Sequence, residues 1–165
     1  FTKSQWGFPT KEAYQKLQAF GLEYAAFEKE YDEIKKEYDE IKKHEVRYEI
    51  FNCDSKCDLI IVAYGTTSRI CKNVIKMADK EGIKLGLVRP ITLWPFPDEA
   101  IDKVIDKTKH GFLSVEMSTG QMVEDVRLAV NGRDNVGFYG RTGGMVPSPD
   151  EILAAVKKII SGGVK

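Results

Sequence analysis

Short apolar runs alternate with segments of helical periodicity from about residue 46 to the end of the chain. The clearest run, DLIIVAYG at residues 58–65, is apolar almost throughout, as expected of a strand buried on both faces. Further strands are predicted at the segments VRYEIFN, KLGLVRPI, HGFLSVEMS and NVGFYGR. Helices are predicted at Thr67–Glu81, 97–108, 121–130 and Pro149–Ile160. This alternation indicates βαβ units, and therefore a three-layer α/β/α domain with a mostly parallel, five-stranded sheet.

The first 45 residues follow a different, heptad-like pattern. The segment EYDEIKK occurs twice in succession, and apolar positions three and four residues apart predict one long helix, with Gly21 as the point where it could break. The apolar stripe consists of Leu17, Phe20, Tyr24, Phe27, Tyr31, Ile34, Tyr38 and Ile41. The stripe either docks onto a neighbouring domain or forms a coiled coil with a second chain, and tyrosine at the seam favours docking. The pattern therefore predicts a helical arm at 1–45 and an α/β domain at 46–165.

Prolines mark the start of two predicted helices. Pro97 is predicted as the first residue of its helix, and the two acidic residues after it place negative charge at the positive end of the helix dipole. Ser148 stands three residues before Glu151, and this spacing predicts a capping box. The aromatic residues Trp94 and Phe96 precede the first of these helices and cannot cap it. We expect them to face another protein surface.

Charge and hydropathy exclude two classes of partner. The chain carries 25 acidic and 25 basic residues, so no net field favours nucleic acid or an anionic membrane surface. No apolar run approaches the roughly 20 residues that span a bilayer. The sequence begins with Phe1 rather than Met, which suggests a processed or excised piece from which a targeting segment could have been lost.

The three cysteines follow no recognisable ligand pattern. Cys53, Cys57 and Cys71 are odd in number, which is not typical of a secreted disulfide framework and fits a reducing cytoplasm. Only His44 and His110 could complete a metal-binding set, and the spacing is looser than zinc or iron–sulfur sites usually show. We expect buried thiols, no metal site and a cytoplasmic protein.

The carboxyl ends of the predicted strands are where an open α/β sheet binds ligands. One turn at this edge, together with a cationic loop between glycines, could bind a phosphate through backbone N–H groups and a guanidinium. These anion-site candidates are Gly65, Thr66, Thr67, Ser68 and Arg141. The alternative is that Thr66 or Thr67 simply caps the following helix.

Glu116 is the one carboxylate that directly follows a buried strand. It could act as a general acid or base, accept hydrogen bonds from the loop after it, or pair with Arg89 or Arg141. The sequence places no histidine, second carboxylate or serine nucleophile where it would complete a catalytic set, since His110 is expected at the opposite end of the sheet. The residues alone therefore favour an interaction domain.

Several long motifs in register carry a resemblance to a known family. The segments VAYGTTSR, LVRPITLWPFP, VEMSTGQMVEDVRLAVNG, FYGRTGG and PSPDEIL resemble the second domain of the alpha chain of 2-oxoacid:ferredoxin oxidoreductases. The nearest group is the one that acts on branched-chain 2-oxoacids such as 2-ketoisovalerate. The resemblance runs from about Val46 to Ile160. It implies a fold like the carboxy-terminal domain of transketolase, in which the first strand, here VRYEIFN, is antiparallel.

The resemblance also implies a larger enzyme around this domain. Such enzymes decarboxylate 2-oxoacids to acyl-CoA with thiamine diphosphate, magnesium, iron–sulfur clusters and coenzyme A, none of which this piece is expected to bind. The expected partners are the rest of the alpha chain, a thiamine-binding beta subunit, an iron–sulfur (gamma) subunit and ferredoxin. The implied role is non-catalytic assembly. The interface residues it implies are Arg89, Trp94, Phe96, Glu116 and Gln121.

Three alternatives remain open from the sequence. The chain could be the corresponding domain of a transketolase or a 2-oxoacid dehydrogenase, because these share the fold. It could be a small phosphate- or nucleotide-binding module that uses Gly65–Ser68 and Arg141. It could also be a coiled-coil interaction protein in which residues 1–44 carry the association.

Overall fold

The computed structural model describes residues 24–162, and the chain divides into two units, residues 1–44 and 45–165. Within the first unit, helix α1 covers Tyr24–His44. Along it Lys35 pairs with Asp39 at 3.3 Å, as expected of a helix with charged positions four residues apart. The part of the predicted heptad helix before residue 24 lies outside the described residues, and the role of the arm as a linker stays a prediction.

The second unit is built on one five-stranded sheet with the order β1-β3-β2-β4-β5. The strands are β1 (Tyr48–Phe51), β2 (Leu59–Ala63), β3 (Leu85–Pro90), β4 (Phe112–Glu116) and β5 (Val136–Gly140). β1 pairs antiparallel with β3, and the other neighbours are parallel. Both the mostly parallel sheet and the antiparallel first strand are therefore confirmed.

Helices cover both faces of the sheet. They are α2 (Gly65–Lys80), α3 (Asp98–Asp102), α4 (Met122–Val130) and α5 (Pro149–Ile160). Successive side chains of a strand point to opposite faces. Accordingly Leu59 and Ile61 of β2 join the cluster under α2 and α5, whereas Ile60 and Val62 join the cluster under α3 and α4. The predicted three layers are confirmed.

The helix predicted at 97–108 is not continuous. α3 ends at Asp102, a turn follows, and Ile105–Lys107 forms a 3-10 helix. The chain has to return here to the edge where β4 begins, and the Cys57 N–H donates to the Lys107 carbonyl at 2.7 Å to fix that return. The turn after Asp102 thus separates α3 from the 3-10 helix that carries this carbonyl.

The predicted starts of two helices had different outcomes. The capping box of α5 is confirmed, since the Ser148 hydroxyl accepts from the Glu151 N–H at 3.2 Å and the Glu151 carboxylate accepts from the Ser148 N–H at 2.8 Å. Pro97, by contrast, is the N-cap residue of α3 and not its first helical residue, with φ −83° and ψ 69°. Proline has no side-chain acceptor, so this cap contributes no hydrogen bond from its side chain.

Gly86 of β3 lies directly against two of the cysteines. A Cβ added there would clash with the Cys53 Sγ and lie 3.1 Å from the Cys57 Sγ. Both thiols are buried in the cluster under α3 and α4. The two sulfurs therefore fill the volume that a side chain at position 86 would need.

Candidate functional site

The parallel strands β2, β3, β4 and β5 end at the same edge of the sheet. Their last residues are Ala63, Pro90, Glu116 and Gly140. The segments that follow them contain all the residues singled out from the sequence as anion-site or interface candidates, except Arg89 and Glu116, which lie in the last two positions of their strands. We call this the carboxyl edge. The structure thus brings the candidates to one side of the domain.

Glu116 is fully buried at this edge, at 0% exposure, and its carboxylate is saturated with hydrogen bonds. It accepts from the backbone N–H groups of Gln121, Met122 and Val123 at 3.0–3.1 Å. The hydroxyls of Ser114 and Ser118 donate to it at 3.1 and 2.5 Å. These three N–H groups open helix α4, which has no capping side chain of its own. Glu116 therefore caps α4 from the preceding strand, with negative charge at the helix N-terminus.

This arrangement decides between the roles that the sequence left open for Glu116. The carboxylate accepts hydrogen bonds from the loop and helix that follow it, and within residues 24–162 it pairs with neither Arg89 nor Arg141. The carboxylate is fully buried and five donors occupy its two oxygens, so neither oxygen is accessible to a substrate. The geometry gives no support to general acid–base chemistry at this position.

The turn after β2 does not contain the predicted helix cap. α2 begins at Gly65 with Tyr64 as its N-cap, and no side chain caps it. The Thr67 hydroxyl instead donates to the Tyr64 carbonyl at 2.6 Å, and the Ser68 hydroxyl donates to the Gly65 carbonyl at 2.7 Å. The predicted cap at Thr66 or Thr67 is therefore wrong, because the helix starts two residues earlier and turns Thr67 inward. Binding of an anion at this turn stays a prediction.

Arg141, the cationic member of the anion-site candidates, is engaged elsewhere. Its guanidinium contacts the Glu151 carboxylate at 2.5 Å. Glu151 is also the second half of the α5 capping box. The hydrogen bond from the Ser148 N–H is the largest cause of the lowered pKa of the Glu151 carboxyl. Arg141 therefore ties the loop after β5 to the start of α5.

Arg89, the last residue but one of β3, lies within a small ionic cluster. Its guanidinium lies 3.1 Å from the Glu49 carboxylate of β1, and the Lys72 ammonium of α2 lies 3.5 Å from the same carboxylate. The hydrogen bond from Arg89 is the largest cause of the lowered pKa of the Glu49 carboxyl. The cluster is partly exposed, so it links three elements at the carboxyl edge without a large energetic contribution.

Trp94 is 54% exposed, whereas Phe96 packs partly against the cluster under α3 and α4. The peptide bond between Trp94 and Pro95 is cis, and Pro95 is buried. The indole therefore lies on the surface while the chain on its carboxyl side is anchored in the core. Gln121, the remaining candidate, is exposed at the start of α4.

Other exposed apolar side chains accompany Trp94 in the segments after β3, β4 and β5. They and Trp94 form what we call the edge patch: Ile91, Leu93, Trp94, Met117, Met145 and Val146. Sequence reasoning singled out only the tryptophan from this set. The signal that could have found the others is the presence of apolar residues in the segments between the end of each strand and the next helix. Exposed apolar groups concentrated at one edge are typical of an interaction surface.

Metal ligands do not come together in the part of the chain from residue 24 to 162, where no three His, Cys, Asp or Glu side chains form a possible site. Cys53, Cys57 and Cys71 are buried thiols. Burial is the main cause that raises the pKa of Cys53 and of Cys71 to about 12. Cys53 and Cys57 lie in the cluster under α3 and α4, whereas Cys71 lies in the cluster on the other face of the sheet, so the three described thiols do not converge on one cluster site. No helix among residues 24–162 is long and apolar enough to cross a membrane.

Comparison with known proteins identifies the family. Residues 57–152 match the model of the pyruvate:ferredoxin oxidoreductase core domain II. The chain belongs to this family. The core domain II match covers β2 to the first turn of α5, and thus every segment of the carboxyl edge. The resemblance to 2-oxoacid:ferredoxin oxidoreductases is confirmed.

Two kinds of subunit are similar to this core domain II chain. It is 41% identical over 116 residues to the ketoisovalerate oxidoreductase subunit VorB of Methanothermobacter thermautotrophicus. The aligned residues make up 70% of this chain and 32% of that subunit. It is 35% identical over 96 residues to the 2-oxoglutarate synthase subunit KorA of Methanothermobacter marburgensis, covering 58% of the chain and 25% of the subunit. The chain therefore spans about a third or less of these relatives.

Solved structures confirm the fold of the core domain II. A 2-oxoglutarate:ferredoxin oxidoreductase from Magnetococcus marinus matches with a TM-score of 0.61 and 23% identity, covering 69% of this chain and 20% of that one. A split-gene transketolase matches with a TM-score of 0.58 and 20% identity, covering 70% and 41%. At this identity the likeness concerns the fold alone.

Proposed function

We propose that this chain is the assembly domain of the alpha subunit of a 2-oxoacid:ferredoxin oxidoreductase that oxidises 2-ketoisovalerate to an acyl-CoA. The substrate is inferred from the higher identity to ketoisovalerate oxidoreductase subunits, 41% against 35% for a 2-oxoglutarate synthase subunit. The family and the order of motifs along the chain support the class of enzyme.

The observation that carries the assembly role is the edge patch. Polar groups at the same edge are already used within the domain: Glu116 caps α4, and Arg141 holds Glu151. The side chains that remain exposed in the edge patch are apolar or aromatic, and Trp94 is the largest of them. Tryptophan with arginine nearby is typical of the centre of a protein–protein interface. We infer that the edge patch, with Arg89, Phe96 and Gln121 beside it, contacts another domain or subunit.

The cofactors of the whole enzyme are assigned to the partners. We infer that thiamine diphosphate, magnesium, the iron–sulfur clusters and coenzyme A bind in the rest of the alpha chain and in the beta and gamma subunits, with ferredoxin as electron acceptor. The buried, weakly acidic thiols and the saturated Glu116 support this assignment for residues 24–162. The contribution of this domain is then to hold and orient neighbouring surfaces.

The test is a truncation of the tryptophan in the assembled enzyme. The tagged full chain, expressed in its native cells, is expected to copurify with thiamine-binding and iron–sulfur subunits and to reduce ferredoxin with 2-ketoisovalerate and coenzyme A. The variant W94A should lose about 2 kcal/mol of association, which is roughly thirtyfold in affinity. The matched control is L128A, because Leu128 on α4 is 75% exposed but does not belong to the edge patch.

Two results would overturn the proposal in distinguishable ways. Equal copurification of partners with W94A and L128A would remove the assembly role of the edge patch. Faster ferredoxin reduction with 2-oxoglutarate than with 2-ketoisovalerate would overturn the substrate and leave the assembly role standing.

A further inference from the structure

The strand β5 leaves one side of the sheet open. It is the last strand in the order and pairs only with β4 among the described strands. The Asn135 carbonyl accepts from the Phe112 N–H at 2.9 Å, so the backbone groups of the odd-numbered residues face β4. Backbone groups alternate in direction along a strand, and those of Val136 and Phe138 therefore point outward. Within residues 24–162 no other segment bonds to them.

A groove of about 790 Å³, which we call the lateral groove, follows this open strand. α4 contributes Arg127 on one side, and α5 contributes Ala154, Ala155 and Lys158 on the other. Alanine side chains are too short to cover the strand, which leaves the edge accessible between the two helices. Phe138, 42% exposed, supplies an apolar contact beside the unpaired backbone groups.

The lateral groove is positively charged. Arg127 and Lys158 form no ion pair with another side chain in the described part of the chain. The acidic lining residue, Glu151, is neutralised by Arg141 at 2.5 Å. Two free cations therefore flank an apolar strand edge, one on each face of the sheet.

We propose that the open edge of β5 binds an extended segment of a partner protein, which adds to the sheet as a further strand and carries carboxylates on both of its faces. The added strand supplies hydrogen-bond partners for the unpaired backbone N–H and C=O groups of Val136 and Phe138. Side chains of an added strand alternate between the two faces. A carboxylate for Arg127 and one for Lys158 must then lie an odd number of residues apart. This site is separate from the carboxyl edge and does not rest on the proposed function.

A pair of synthetic peptides tests this geometry with the full chain. Both consist of valine, threonine and two glutamates in an extended, capped segment; in the first the glutamates lie an odd number of residues apart, and in its isomer an even number. The first peptide is expected to bind more tightly in fluorescence anisotropy. It should also slow amide hydrogen exchange at Val136 and Phe138, since these N–H groups become bonded.

Charge-reversal variants test whether the two cationic side chains of the lateral groove bind the peptide. R127E and K158E are each expected to lower the affinity roughly fivefold, which corresponds to an exposed ion pair of about 1 kcal/mol. K76E is the matched control, because Lys76 is an exposed lysine of α2 outside the lateral groove. Equal binding of the two isomers, no added protection at Val136 and Phe138, or equal effects of K76E and K158E would each overturn the proposal.

Discussion

The Glu116 carboxylate has a structural role that its position after a strand did not reveal. Five donors surround it, two hydroxyls and three backbone N–H groups. The sequence could show that an acidic residue follows a buried strand, because apolar runs are visible in the letters. It could not show that the loop of five residues after it curls back over the carboxylate, because that depends on the backbone of residues 117–121. The three-dimensional arrangement of the loop therefore distinguishes a capping carboxylate from a catalytic one.

Replacement of Glu116 by glutamine tests the capping role. The amide keeps the shape but turns one acceptor oxygen into a donor that faces buried N–H groups, and we expect the free energy of unfolding to fall by about 2–4 kcal/mol. Urea unfolding followed by circular dichroism measures this change. The control is E124Q in the same first turn, where the side chain is exposed and the change should stay within about 0.5 kcal/mol. An E116Q variant as stable as E124Q would contradict the role.

At the scale of elements, apolar runs predicted the strands better than cap signals predicted the helices. All five strands lie within their predicted segments because a run such as Leu59–Ala63 must be buried on both faces. The box Ser148–Glu151 also predicted its helix correctly, since both halves of that signal are local. The cap expected at Thr66 or Thr67 was wrong because the tertiary position of β2 starts α2 earlier. The helix expected at 97–108 is interrupted after Asp102, at a point that no glycine or proline of the sequence marks.

The two helix starts can be compared by alanine substitution. S148A removes the hydroxyl that accepts from the Glu151 N–H, and we expect it to cost about 1 kcal/mol of stability. T66A should change stability by less than about 0.5 kcal/mol, because Thr66 is exposed and caps nothing. Thermal and urea unfolding of both variants measure the difference. Equal losses in the two would show that Thr66 caps α2 in solution after all.

At the scale of the whole molecule, the α/β unit contains its own core. Both hydrophobic clusters draw on residues between Tyr48 and Ile160, one on each face of the sheet. The α/β/α architecture was predictable because period and burial are properties of the sequence. The lateral groove was not, since it depends on which strand lies last in the sheet and on the small side chains of α5 beside it.

Removal of residues 1–44 tests the independence of this unit. A chain of residues 45–165 is expected to unfold in one cooperative transition, because it retains both clusters. Coincident curves from tryptophan fluorescence and circular dichroism would show this, and separate transitions would contradict it. The same truncated chain should keep part of its association with partner subunits; complete loss would favour the alternative in which the helical arm carries the association.

The contact between Gly86 and the two cysteine sulfurs restricts how this sequence can change over time. An alanine at position 86 introduced first would overpack the core, at a cost of roughly 1–3 kcal/mol, since its methyl would occupy the space of the Cys53 Sγ. The same alanine introduced after a smaller residue at position 53 would refill vacated volume. The two substitutions therefore have a preferred order, because the residue at position 53 determines whether alanine is tolerated at position 86.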